Sequence, residues 1–155
     1  MNEKLDILIN KKSLLDDFIR LNEQWITTYF ELEESDRRLA ADPESIIDNG
    51  GFVFSLVFGS QVIGVCALFN EGNGVYQLAR MAITPRFHGR GHGHLLMRAC
   101  LDTLEEINAR KVYLITNSKL SAAMALYAKH DFVTVREGQH PIYARANVTM
   151  ERIFS

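Results

Sequence analysis

The chain has 155 residues, of which 47% are hydrophobic, and its 17 basic and 19 acidic side chains leave a net charge of -2. That length and apolar content suit one domain over residues 1–155 with a substantial core, and they exclude a disordered chain. The near balance of charge argues against a nonspecific nucleic-acid binder, which would carry a basic surplus, and no apolar run approaches the ~20 residues that span a membrane.

The amino-terminal MNEKLDILIN is too polar for a signal peptide. Cys66 and Cys100 sit in apolar runs and read as small buried hydrophobes, not as a disulfide or zinc site. A cytoplasmic protein is therefore expected.

In chain order, Leu5–Ile9 reads as a short strand. Leu14, Leu15, Phe18, Ile19, Leu21, Trp25, Ile26 and Tyr29 recur at helical spacing and predict an amphipathic helix over Ser13–Phe30. Asp42-Pro43-Glu44 starts a short helix, with Asp42 as cap and Pro43 in the first turn, and Gly50-Gly51 ends it. Phe52–Phe58 and Gln61–Phe69 flank Gly59-Ser60 as an antiparallel hairpin. A turn over Asn70–Gly74 leads to a strand over Val75–Ile83. A helix over His92–Ala109 buries Leu95, Leu96, Ala99, Cys100, Leu104 and Ile107. Lys111–Ile115 is a strand, Ser121–His130 a helix, and Phe132–Val135 and Ile142–Phe154 are late strands. The order predicts a mixed α/β fold around one central sheet, antiparallel first, with a β-α-β crossover in the middle.

Between the strand ending at Ile83 and the helix starting at His92 stands ITPRFHGRGHG. Gly89, Gly91 and Gly93 let the backbone approach a ligand closely, and the helix start aims its N–H groups at the same place, which makes a phosphate cradle. Three alternate glycines exceed what a helix cap needs. A P-loop is excluded because no Gly-Lys-Ser/Thr ending follows, and a dinucleotide fingerprint because the GxGxxG spacing is absent and a meander comes first. Arg86 and Arg90 either add charge to the phosphates or are solvated. His88, His92 and His94 gather at the helix start, but no acidic or thiolate ligand joins them, so no metal is expected.

This loop resembles the glutamine-or-arginine, x-x-G-x-G/A signature that the GNAT family of N-acetyltransferases carries after its fourth strand. The hexamer His88-Gly89-Arg90-Gly91-His92-Gly93 aligns with it, with His88 in place of glutamine; a second frame, Arg86-x-x-Gly89-x-Gly91, also fits. Leu78–Ile83 is similar to that family's fourth strand. Asn117 and Ala122-x-x-x-Leu126-Tyr127-x-x-x-Asp131-Phe132 resemble its asparagine, helix, tyrosine and G-F ending, with Asp131 where glycine is usual. Leu21–Leu39, Gly50-Gly51 and Tyr143–Glu151 extend the likeness over nearly the whole chain.

The resemblance implies a three-layer sandwich whose mostly antiparallel, partly parallel sheet is flanked by helices. It implies direct transfer of acetyl from acetyl-CoA to an amine, with the pyrophosphate held by backbone amides of residues 88–93 and by His94 at the helix start. It also implies that main-chain groups of Met81, Ala82 and Ile83 contact the pantetheine and polarise the thioester, and that Asn117 orders the cofactor arm or its neighbouring helix. Tyr127 would stabilise or protonate the departing thiolate; from the residue alone it reads equally as a packing tyrosine. Gln77 stands where subgroup members often carry a glutamate base, and an amide takes up no proton, so it would orient the acceptor. Glu33, ahead of Glu31, Glu34 and Asp36, is the candidate base. Trp25–Asp36 and Gly138–Tyr143 are expected to shape the acceptor pocket. Their acidic residues favour a cationic amine without separating a polyamine, an amino acid, an aminoglycoside or a protein amino terminus. A small molecule is preferred over a protein amine, and the chain acts as a monomer or homodimer. The alternative class is an acyl-CoA-binding sensor without turnover.

Overall fold

A computed structural model describes residues 4–141 and 144–154. Strands β1 (Leu5–Ile9), β2 (Phe52–Phe58), β3 (Gln61–Gly72), β4 (Val75–Ile83), β5 (Lys111–Thr116), β6 (Val133–Glu137) and β7 (Val148–Ile153) form one sheet in the order β1-β2-β3-β4-β5-β7-β6. Among the described residues, only β4 and β5 run parallel; every other neighbouring pair is antiparallel. The parallel pair needs a crossover, and α4 (His92–Glu106) supplies it. Helices α1 (Leu15–Tyr29), α2 (Glu34–Ala41) and α3 (Ser45–Asp48) precede β2, and α5 (Ser121–Lys129) follows β5.

Alternation along the strands divides the core between the two faces. On β3, Val62, Val65 and Ala67 join Leu15, Phe18 and Leu21 of α1. From the other face, Ile63, Cys66 and Leu68 join Leu96, Met97, Cys100, Leu101 and Leu104 of α4. The expected α4 stripe is shifted: Leu95 and Ile107 are 43% and 42% exposed. The buried spacing of 96, 97, 100, 101 and 104 turns Leu95 outward, and the helix stops before Ile107, where Asn108 takes φ 58°. Cys66 and Cys100 are buried free thiols whose Sγ atoms lie 3.3 Å apart.

Four elements differ from the sequence reading. Helix α3 starts only at Ser45, so Pro43 and Glu44 form a turn ahead of it and Asp42 does not cap it. The first turn of the long amino-terminal helix is a 3-10 turn over Lys12–Leu14. Helix α2 was not expected; its one fully buried residue is Asp36, whose carboxylate accepts from the Glu33 N–H at 2.8 Å. The last strand is shorter than Ile142–Phe154, because Ala144 and Arg145 form a turn, β7 starts only at Val148, and Ile142 and Tyr143 lie outside the described residues. Among the described residues, no helix is long and apolar enough to cross a membrane.

Candidate active site

The site begins where β4 leaves β5. The two pair only over Val75–Gln77 against Lys111–Tyr113, while β5 stays with β7 to Thr116. On β3, Val65 and Ala67 are two residues apart, yet they face Ala82 and Ala79, which are three apart. The extra residue is a bulge at Arg80, held at φ 63°. Bulges bend a strand and raise its twist, so β4 swings away from β5. The gap is a cavity of about 620 Å³, within the usual range for small-ligand sites. Met81, Ala82 and Ile83 stand on its wall along the edge of β4 that has no β5 partner.

The glycine loop closes one end. Buried Phe87 anchors it in the core. His88 Nε2 lies 2.6 Å from the Ile83 carbonyl and His92 Nδ1 lies 3.1 Å from the Phe87 carbonyl. A carbonyl only accepts, so each of these ring nitrogens carries hydrogen and ties the loop to itself. Gly89 and Gly91 take φ 74° and 81°, and a Cβ on either would meet nothing within 4 Å. Backbone conformation therefore demands glycine at both. At Gly93 a Cβ would meet Leu126 Cδ2 at 3.3 Å, so the third glycine serves the α4–α5 packing. Among the described residues, no N–H group from Gly89 to Gly93 donates to a backbone carbonyl. These N–H groups crowd the positive end of a 15-residue helix, an arrangement that fits an anion such as a pyrophosphate. Arg86 and Arg90 sit over the Phe87 ring at 5.6 and 5.4 Å and are not part of the cavity wall; Arg86 also donates to Gln61 Oε1 at 3.1 Å.

Tyr127 of α5 reaches the cavity beside Gly93 and packs against Phe132 at 6.2 Å. Burial, with the nearby Cys66, pushes its phenol up to about 12, so it is a proton-bearing donor at any physiological pH. Burial and then Cys66 likewise push the Cys100 thiol well up, which leaves it inert. His94 Nδ1 meets His130 Nε2 at 2.9 Å. Burial first, then His94, Arg98 and Arg152, hold His130 below its ordinary value against the opposing Asp131. Among the described residues, no third metal-type ligand joins them.

Asn117 lies on the wall with both ends of its amide engaged. Its Nδ2 donates to the Arg145 carbonyl at 2.7 Å and its Oδ1 accepts from the Lys119 N–H at 3.0 Å. It orders the turn into α5 and fastens that turn to the strap before β7.

At the opposite end, four charged groups interlock. Arg145 Nη1 donates to Glu33 Oε2 and Asp36 Oδ2, each at 2.8 Å, and Nη2 donates to Asp36 Oδ1 at 2.9 Å. Arg80 donates to Asp36 as well, and the Ala144 N–H donates to Glu33 Oε1 at 3.1 Å. Burial works to raise the Asp36 carboxyl. Hydrogen bonds from Arg145, the Glu33 N–H and Arg80, with the Arg80 charge, outweigh it and hold the group down at about 2. Glu33, expected as a base, is off the cavity wall with both oxygens on Arg145 and Ala144. Buried Gln77 does stand on the wall, and its Oε1 lies 3.5 Å from the Tyr113 hydroxyl. Trp25, Tyr29 and Phe30 form an aromatic wall, with ring centroids 5.4 and 5.9 Å from Trp25, and Lys119 places its Nζ 4.2 Å from the centre of Phe30.

Sequence reasoning missed Arg80, Lys119 and Arg145. Arg80 had a signal, because it is the one charge within the apolar run Leu78–Ile83. Arg145 had none, since its acidic partners lie more than 100 residues away.

A family model described as the acetyltransferase (GNAT) family matches residues 18–132. Among solved structures, an acetyltransferase of the GNAT family from Staphylococcus aureus superposes with a TM-score of 0.87 at 18% identity, covering 98% of this chain and 100% of that one. The PaiA N-acetyltransferase from Thermoplasma acidophilum, solved in complex with coenzyme A, gives 0.74 at 16%, with 97% and 99% covered. A putative acetyltransferase, yncA, from Salmonella typhimurium with its cofactor acetyl-CoA gives 0.78 at 16%, with 98% and 95% covered. No curated protein sequence matches the chain.

Proposed function

The chain belongs to the acetyltransferase (GNAT) family, and from that membership we propose that it transfers acetyl from acetyl-CoA directly to the amine of a small-molecule acceptor. The observation that carries this reading is the row of N–H groups over Gly89–Gly93, without backbone acceptors and opening on the cavity that also holds Tyr127. A pyrophosphate satisfies those donors and the helix end together. Acetyl-CoA supplies a thioester whose carbonyl carbon a neutral amine attacks.

The chain's own groups act by position and charge. N–H groups on the open edge of β4 near Met81, Ala82 and Ile83 hold the pantetheine arm and the carbonyl oxygen. Tyr127 donates a hydrogen bond to the sulfur as negative charge builds there. Asn117 acts indirectly by setting the turn that delivers α5 and Tyr127. His88 and His92 keep the glycine loop in shape, Arg86 and Arg90 add charge from outside it, and His94 stands in the first turn of α4.

No aspartate or glutamate among the described residues is on the cavity wall. The amine therefore arrives neutral or gives its proton to water, and Gln77 orients it by hydrogen bonding. Glu33 serves by holding Arg145. The free buried thiols agree with a cytoplasmic setting.

Thiol release from acetyl-CoA, followed with a thiol reagent over a panel of amines, tests the reading. Cys66 and Cys100 are buried, so the protein's own background stays low. Amine-dependent release is expected. Binding of acetyl-CoA without release for any amine would leave a sensor in place of an enzyme.

A further inference from the structure

The wall of the acceptor end carries fixed charge of one sign. Resting on the acetyltransfer reading above, we propose that the acceptor is a small amine bearing a carboxylate on an aromatic or apolar body, an amino acid and not a polyamine. Arg80, Lys119 and Arg145 all stand on the cavity wall, and no acidic residue does among the described residues. The sequence expectation of a cationic acceptor rested on Glu31, Glu33, Glu34 and Asp36, none of which stands on the cavity wall. The structure sets Glu33 and Asp36 behind the arginines, where they neutralise and position guanidinium groups instead of facing the cavity.

That arrangement makes a rigid donor. The Arg80 side chain is only 8% exposed and donates through Nη1 to Asp36. Its Nε and Nη2 have no acceptor among the described residues, and no buried side-chain nitrogen or oxygen lacks a partner, so these groups border open space. A planar guanidinium locked from behind is suited to a carboxylate in front. The Lys119 ammonium has no carboxylate partner among the described residues and lies over Phe30. Phe30 and Trp25 then offer an apolar surface beside the cations. The glycine loop provides separate donors for the cofactor phosphates, which leaves Arg80 and Lys119 to face the acceptor, while Arg145 holds Glu33 and Asp36 from behind. A polyamine would find no carboxylate on that wall and would meet the Lys119 ammonium there.

Matched substrates isolate the carboxylate: phenylalanine against phenethylamine, tryptophan against tryptamine, and methionine against 3-methylthiopropylamine, with spermidine beside them. The amino acid of at least one pair is expected to exceed its decarboxylated partner in kcat/KM by about 100-fold. Lys119→Glu, an exposed site that leaves the fold intact, is expected to cut that ratio about 10-fold or more while acetyl-CoA still binds in calorimetry. Equal or better turnover of the decarboxylated amines or of spermidine overturns the inference and leaves acetyl transfer standing. So does failure to turn over any of the three amino acids by protein that binds acetyl-CoA. Protein that binds no acetyl-CoA overturns the acetyltransfer reading itself.

Discussion

Replacing Tyr127 with phenylalanine removes one hydroxyl and keeps the ring that packs on Phe132. With the phenol near 12 and an ordinary thiol near about 8.5, complete transfer of its proton to the sulfur runs uphill by about 5 kcal/mol. The proton therefore stays on the phenol, and the contribution proposed for Tyr127 is a hydrogen bond to developing charge, about 1.5–3 kcal/mol. In Tyr127→Phe, kcat is expected to fall about 10- to 150-fold, with the KM for acetyl-CoA within about 3-fold of wild type. The pH profile adds a second check. Activity should rise as the amine loses its proton and show no alkaline fall through pH ~10, because Tyr127 keeps its proton until about 12. The variant should show the same shape at a lower level. Steady-state kinetics by thiol release across pH 6–10 would measure both. A variant within about 2-fold of wild type, or an alkaline fall near pH ~9 that the variant abolishes, would exclude this role for Tyr127.

Asp36 makes stability sensitive to acid. Its folded value near 2, against 3.8 unperturbed, adds stability that is fully present above about pH 4 and is lost as pH falls toward 2. The loss amounts to about 2 kcal/mol. Urea unfolding at stepped pH should show it in wild type and a flatter slope in Asp36→Asn, whose baseline is lower; equal slopes would contradict the assignment. At the end of α5, Asp131 holds φ 70° while the Phe132 N–H bonds the Tyr127 carbonyl, a left-handed cap that glycine fills without steric cost. Asp131→Gly should raise stability by about 0.5–1 kcal/mol, read as a higher Tm, and a lower Tm would contradict the cap.

The glycine loop was legible because positive φ at Gly89 and Gly91 imposes residue type locally. The long amino-terminal helix and the Gly59-Ser60 hairpin were legible because their apolar spacing matches the faces that are buried. Helix α2 was not, since an apolar pattern cannot reveal an element whose buried residue is a carboxylate. Its nearest signal was the pair Glu33 and Asp36, one reaching back to cap the other. The cleft was recognised through resemblance and not through spacing. It depends on where β4 stops pairing with β5, and nothing local to Leu78–Ile83 states that except the single arginine. The acidic segment before α2 is hard to read for a related reason: sequence shows Glu33 and Asp36 near one another, but not the arginines that pair with them, nor that Arg80, Lys119 and Arg145 stand on the cavity wall while the two carboxylates do not.

Calorimetric titration of acetyl-CoA into ligand-free protein, with Gly91→Val beside it, tests whether the glycine loop holds the cofactor. Valine at φ 81° is strongly disfavoured, so that variant must rebuild the loop while leaving the core untouched. Saturable binding at one site is expected in the wild type, weakened at least about 30-fold in a variant that remains folded. No binding by the wild type, or equal binding by the variant, would contradict that role.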